Sequence, residues 1–213
     1  MMQLHYFPSN ASMTPHMLLE ELGVPYERVL VDRTTNAHRS PAYLKLNPNG
    51  KIPVLVDGDL VLYETAAIVL HRVDTHPQAG LAPAVGTAER AVFYKWLLWL
   101  ADTLQAEMPL YFYSDRWADD AAGAAQVKRH AEAHIAGMID QIEAELARHG
   151  GPWFAGERFS ALDPYVFMLC RWTRGMQRPA RTLPHLAAYL QRMLARPAVQ
   201  RVFASEGPAQ PFV

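Results

Sequence analysis

The chain has 213 residues, enough for one large domain or two small ones, with half of them hydrophobic and 19% charged, ordinary proportions for a globular protein. Twenty basic side chains are balanced by 21 acidic ones, a formal net charge of −1, which gives no electrostatic basis for a nucleic-acid partner or an anionic membrane. No apolar run approaches the ~20 residues that span a bilayer, and the first residues do not read as a secretory signal. The single cysteine, Cys170, excludes an intrachain disulfide and a Cys-x-x-Cys redox pair. The expectation is a cytoplasmic protein with neither membrane nor nucleic acid as partner.

Leu4 to Phe7 is a short apolar run ended by Pro8 and reads as a buried strand. Thr14 and Pro15 follow as the cap and first residue of a helix. Met17, Leu18, Leu19 and Leu22 form its apolar face, and Gly23 is its stop. Tyr26 to Val31 alternates polar and apolar residues as a second strand should. The polar stretch from Arg33 to Gly50 reads as irregular chain around one short helix from Pro41 to Leu46. Two further strands, Pro53 to Val56 and Leu60 to Tyr63, flank Asp57-Gly58-Asp59, a strong hairpin signal. The next helix carries Ala66, Ala67, Ile68, Val69, Leu70 and Val73 in or near its buried face. The order βαβ, short helix, ββα predicts helices covering a small mixed sheet.

A Pro- and Gly-rich linker over 79–86 then separates an α/β domain, 1–78, from an all-helical one, 87–213. Helical periodicity runs from Ala88 to Gln105, Ala121 to His149, Pro164 to Arg174, Pro184 to Arg196 and Ala198 to Ser205. His130 and His134 share a helix face, but no Glu follows His130 and no third ligand is evident, so no metal site is expected. Cys170 should pack as a small hydrophobe, and most of the aromatic band Trp96, Trp99, Tyr111, Phe112, Tyr113 and Trp117 as core.

Two motifs carry chemistry. In Lys51-Ile52-Pro53-Val54-Leu55, a proline opens a strand just after a turn-rich loop; by itself this is an edge-strand position, trans like most X-Pro bonds. In Tyr63-Glu64-Thr65-Ala66 a strand meets a helix. Thr65 is well placed to cap that helix, with Glu64 just before it, and on the plainest account both serve only in capping. Alternatively, the free N–H groups of a helix start attract a carboxylate while Glu64 holds an ammonium group, which together would hold an amino acid moiety.

These residues taken together resemble the cytosolic glutathione transferase superfamily. The likeness spans essentially the whole chain: Asn47-Pro48-Asn49-Gly50-Lys51-Ile52-Pro53-Val54-Leu55, the Glu64-Thr65 pair, Phe159-Ser160-Ala161-Leu162-Asp163, and the helical second half. It implies an α/β N-terminal thioredoxin-like domain followed by an all-α helical domain. Pro53 would be the family's cis-proline, exposing the backbone of Ile52 to the cysteinyl part of glutathione. Glu64 and Thr65 would hold the γ-glutamyl end. Lys51, with Arg39 or His38, would meet the glycine carboxylate, and Asp102 is a candidate to reach the γ-glutamyl amine of the partner subunit in a homodimer. Ser160 and Asp163 would cap a central helix reciprocally. Glutathione is then a co-substrate, with no further cofactor, and a small hydrophobic electrophile is the second substrate, its pocket lined in part by Tyr111 to Trp117.

A free thiol near pKa ~8.5 is only slightly ionised at neutral pH, so a transferase gains by aiming donors at the sulfur. The segment from Tyr6 to His16 looks most like the bacterial beta-type branch, except that Ala11 stands where that branch has a cysteine; no mixed disulfide with the protein can form there. Ser12 is the first candidate donor, followed by Ser9, Asn10 and Tyr6. Thr14 is read as a cap and His16 as structural. The expected activity is conjugation of glutathione to a hydrophobic electrophile. The alternatives are a glutathione-dependent disulfide or peroxide reductase and a non-catalytic binding protein.

Overall fold

Alternation along four short strands builds the sheet of the N-terminal half. In the computed structural model, which describes residues 1–213, β1 (Gln3–Tyr6), β2 (Glu27–Leu30), β3 (Val54–Asp57) and β4 (Leu60–Tyr63) lie in the order β2-β1-β3-β4. β1 and β2 are parallel, and the other pairs are antiparallel. The register sets Leu4, Leu55 and Leu62 in one row across the sheet. Because side chains alternate between faces, this row packs with Leu19 of α1 (Met13–Leu22) and Ile68 of α3 (Thr65–Thr75). The opposite face carries Val54, Val31 and Ile52 against Tyr43 of α2 (Pro41–Leu44). The β3–β4 hairpin closes through Gly58 at φ 61°, as Asp-Gly hairpins require.

The contacts divide the chain into two units, Met1–Ala82 with Met193–Gln210 and Pro83–Arg192 with Pro211–Val213. The reading from sequence placed everything after residue 86 in the helical domain. Instead, α9 (Pro197–Glu206) belongs with the sheet unit, because it packs on α1 and is tied to it by ion pairs. Arg196 grips Glu21 through two hydrogen bonds of 2.6 and 2.7 Å.

In the second unit, α4 (Ala88–Leu98) runs through a wider π-helical stretch, Trp99–Leu104, into α5 (Gln105–Phe112). This helical stretch goes past the Gln105 expected from periodicity and takes Pro109 into its interior. α6 (Ala121–His149) buries Ile135, Ile139, Ile142 and Leu146, a stripe at helical spacing. α7 (Leu162–Trp172) is buried almost throughout, and α8 (Pro184–Leu194) follows. At the start of α7, the Asp163 carboxylate accepts the N–H groups of Ser160 (2.7 Å) and Phe154 (2.8 Å) and the Tyr189 hydroxyl (3.2 Å). The Ser160 hydroxyl accepts from Leu162 N–H at 3.3 Å, so the reciprocal capping is there with one residue's difference. Burial pushes the Asp163 carboxyl up to about 6 despite these donors. Cys170 is buried, as expected, and burial pushes its thiol well up.

Candidate functional site: one end of the sheet

Register brings the sequence motifs together. His5 pairs with Val54, and Val54 with Tyr63. The loop leaving β1 at Tyr6, the segment entering β3 at Pro53 and the residue leaving β4 at Glu64 therefore emerge at the same end of three adjacent strands.

The loop before β3 is built by its own polar side chains. Asn47, 2% exposed, donates Nδ2–H to the Lys51 carbonyl at 2.8 Å, and its Oδ1 accepts the Asn49 N–H at 3.0 Å. The Tyr43 hydroxyl, kept protonated by burial, donates to the same Lys51 oxygen at 2.8 Å. Gly50 turns at φ 60°, where a Cβ would come within 2.9 Å of both the Arg39 Nη1 and the His38 carbonyl, so only glycine fits. Two donors on one carbonyl and the turn at Gly50 hold the chain as it enters the cis Ile52–Pro53 bond. Ile52 itself is nearly buried, Lys51 and Arg39 are exposed, and His38 is half-buried. Arg39 reaches the Asn49 carbonyl at 3.4 Å, which sets its guanidinium beside the Gly50-Lys51 turn.

At the end of β4, Glu64 takes φ 71° and ψ 119°. A non-glycine residue in that region stores roughly 1–3 kcal/mol of strain, and such residues cluster at functional sites. The sequence reading made Thr65 the cap of α3. The structure puts Glu64 at the cap position and Thr65 as the first helical residue, and the Glu64 side chain makes no capping bond. The first returning donor is Ile68 N–H to the Glu64 carbonyl at 3.0 Å, so the N–H groups of residues 65–67 stand at the open, positive end of the helix dipole.

The loop between β1 and α1 shows why Ser12 reads differently in three dimensions. Ser12 is fully buried. Its Oγ accepts the Phe7 N–H at 3.2 Å and donates to the Phe7 carbonyl at 3.1 Å, so its one hydroxyl hydrogen is already committed. The sequence reading put the cap at Thr14 and the first helical residue at Pro15; α1 begins instead at Met13 with Ser12 in the cap position, and the two bonds to Phe7 leave the Ser12 hydroxyl making no side-chain cap. Asn10, half-buried, uses Oδ1 to accept the Ala11 N–H at 2.9 Å, which leaves its NH2 group as a donor at the loop surface. Ser9 is held at φ 61°. Tyr6 packs on the leucine row beside the Arg28 guanidinium, 5.1 Å from its ring centre, and the His16 ring at 6.2 Å. One participant was illegible in the sequence: Glu206, from α9, accepts the Ser9 N–H. An isolated glutamate 197 residues away carries no local signature.

In the helical unit, Asp102 is exposed on the π-helical stretch. Phe112 and Trp117 are 46% and 60% exposed, and Phe112 meets the Trp172 ring edge-on at 6.3 Å. His134 pairs with Glu107 at 3.3 Å, and nowhere do three His, Cys, Asp or Glu side chains converge as metal ligands do. No helix is long and apolar enough to cross a membrane.

Residues 2–72 match the N-terminal domain family of glutathione S-transferases, and residues 115–192 match the corresponding C-terminal domain family. The chain is 30% identical to glutathione S-transferase GST-4.5 of Xanthomonas campestris over 97% of its length and 99% of that protein's. The chain belongs to the glutathione S-transferase family. Among solved structures, this transferase superimposes with a TM-score of 0.87 on a glutathione transferase homolog from Sulfitobacter with bound glutathione, at 30% identity over 96% of this chain and 98% of that one. A bacterial beta class transferase from Sphingomonas chungbukensis matches with a TM-score of 0.83 at 29% identity, over 96% of this chain and 98% of the other. The thioredoxin-like and helical halves expected from the motifs are thus both present in the transferase.

Proposed function

We propose that the protein conjugates glutathione to a small hydrophobic electrophile and that glutathione lies along the end of the sheet where Ile52, Glu64 and the Ser9–Asn10 turn emerge. The observation that carries this reading is the strained Glu64 at the open start of α3, next in the sheet to the segment braced at Lys51. An α-amino acid group needs that arrangement: an anion acceptor beside the ammonium and free N–H groups beside the carboxylate. In this reading Glu64 and Thr65 hold the γ-glutamyl end, the Ile52 backbone pairs with the cysteinyl residue like an added strand, and Lys51 with Arg39 and His38 faces the glycine carboxylate. Glutathione bound to the Sulfitobacter homolog supports the assignment of the ligand.

The thiol then points to the loop after β1. The Asn10 NH2 group and the Ser9 side of the turn are the donors to the sulfur, with Tyr6 nearby, and Ser12 acts by bracing the backbone. The exposed rings of Phe112 and Trp117 supply apolar surface for the electrophile. The protein acts as a cytoplasmic homodimer in which Asp102 reaches the partner's γ-glutamyl amine. Calorimetry with glutathione, followed by steady-state conjugation of an aromatic halide, tests the reading. Binding and conjugation are expected. Turnover of a disulfide without conjugation would replace the proposal with a reductase, and absence of glutathione binding would sink it.

A further inference from the structure

The last helix of the sheet unit reaches back to the loop that opens the site. The Glu206 side chain is wholly enclosed; one carboxylate oxygen accepts the Ser9 N–H at 2.9 Å, and the other faces His16 Nδ1 at 2.6 Å. A carboxylate oxygen only accepts, so Nδ1 is the ring nitrogen that carries hydrogen toward it. Ser9 sits at φ 61°, a region that a residue with a Cβ enters only where its surroundings over-determine it. His16 is in turn enclosed by the Tyr6 and Tyr26 rings at 6.2 and 5.9 Å, and Tyr26 donates to Glu20 at 2.6 Å. One carboxylate therefore fixes two points of the same structure: the turn at Ser9 and the first turn of α1.

We infer that Glu206 is a positioning residue for glutathione activation, holding the Ser9–Asn10 turn in the conformation that presents its donors to the sulfur. The inference rests on the proposed reading that this turn meets the thiol. Without Glu206, a half-buried N–H and a buried imidazole N–H lose their acceptor, and Ser9 is released from the left-handed region, which turns Asn10 away from its place. A misplacement of about 1 Å at a reacting group can cost on the order of a hundredfold in rate. Another tie between α1 and α9, the Arg196–Glu21 pair, lies outside the Ser9–Asn10 turn and is the natural control.

The test compares Glu206→Ala, Glu206→Asp, Glu206→Gln and Arg196→Ala in the full chain, by thiolate absorbance of bound glutathione against pH and by steady-state conjugation of an aromatic halide. Glu206→Ala is expected to lower kcat about tenfold with a smaller change in KM, and to move the thiol titration up by about one pH unit, a tenfold loss of thiolate. Glu206→Asp, one methylene shorter, should move both in the same direction and serves if the alanine variant fails to fold. Glu206→Gln keeps a carbonyl for the Ser9 N–H and should restore most of both. Arg196→Ala should lower the thermal midpoint and leave the titration in place. A depressed thiol titration in the parent protein that neither Glu206→Ala nor Glu206→Asp changes would overturn the positioning role alone. A parent protein whose bound thiol titrates like free glutathione would overturn the activation reading and the positioning role with it.

Discussion

Replacing Ser12 with alanine separates a brace from a direct donor. Its hydroxyl is fully buried and bridges the Phe7 N–H at 3.2 Å and the Phe7 carbonyl at 3.1 Å. Truncation leaves the Phe7 N–H without its acceptor, at roughly 1–3 kcal/mol, while the Phe7 carbonyl keeps the Asn10 N–H at 3.2 Å. The lost N–H bond lies at the long end of the usual range, so the low end applies, and the cost is about 1 kcal/mol. For a chain of about 200 residues that lowers the thermal midpoint by about 2–4 °C. The measurement is a thermal melt at fixed protein concentration, since association also shifts the midpoint, paired with a pH titration of the thiol of bound glutathione. Ser12→Ala should destabilise clearly and move the thiol titration less than Asn10→Ala, which removes a donor without opening the brace. An unchanged midpoint together with the larger rise in thiol pKa would show that the Ser12 hydroxyl serves the sulfur directly, and the bracing argument would fail.

Three further outcomes follow from the same geometry. Glu64→Gln keeps the shape at an exposed position but removes the charge facing the ammonium group; KM for glutathione should rise about tenfold with a smaller change in kcat, and an unchanged KM would refute the γ-glutamyl assignment. Burial raises Asp163 from its usual 3.8 to about 6, so the native protein holds a proton that the unfolded chain has already released. Its contribution to stability is complete below about pH 4 and is lost as pH rises through 6. Denaturant unfolding from pH 4 to 7 should show a fall that Asp163→Asn removes. The buried Cys170 thiol, its ionisation suppressed by desolvation, should resist iodoacetamide in the native state and react only as the chain unfolds; rapid native labelling would contradict its burial.

Local patterns were legible where local forces decide the structure. Gly23 stops α1 at φ 64°, and the Asp57-Gly58-Asp59 turn closes the hairpin. Asn47 and Gly50, quoted only as part of a motif, prove to be the parts that hold the entry to Pro53. The ends of α1 and α3 were misjudged by a residue or so because tertiary demands override capping preference there. Ser12 turns its oxygen back to Phe7, and Glu64 takes a strained backbone that no propensity favours. The membership of α9 in the sheet unit was beyond reach for a simpler reason. Arg196, Arg201 and Glu206 look like an ordinary polar helix surface until α1 supplies Glu21, Glu20 and His16 as partners.

Ala11 draws these observations together. At 5% exposure it is nearly enclosed, and its N–H is satisfied by the Asn10 side chain. Around it, the loop is fixed by Ser12 on Phe7 and by Glu206 on Ser9, and none of these contacts uses the side chain at position 11. The resemblance read from the sequence puts a cysteine at this position in the beta-type branch; alanine there offers no sulfur for a disulfide with glutathione, and the loop's own contacts do not need one. In the proposed reading, the turn held by Ser12 and Glu206 presents the Asn10 amide to the sulfur. Such a donor would stabilise a thiolate without bonding to it, which is the requirement of a transferase rather than of a thiol-exchange enzyme.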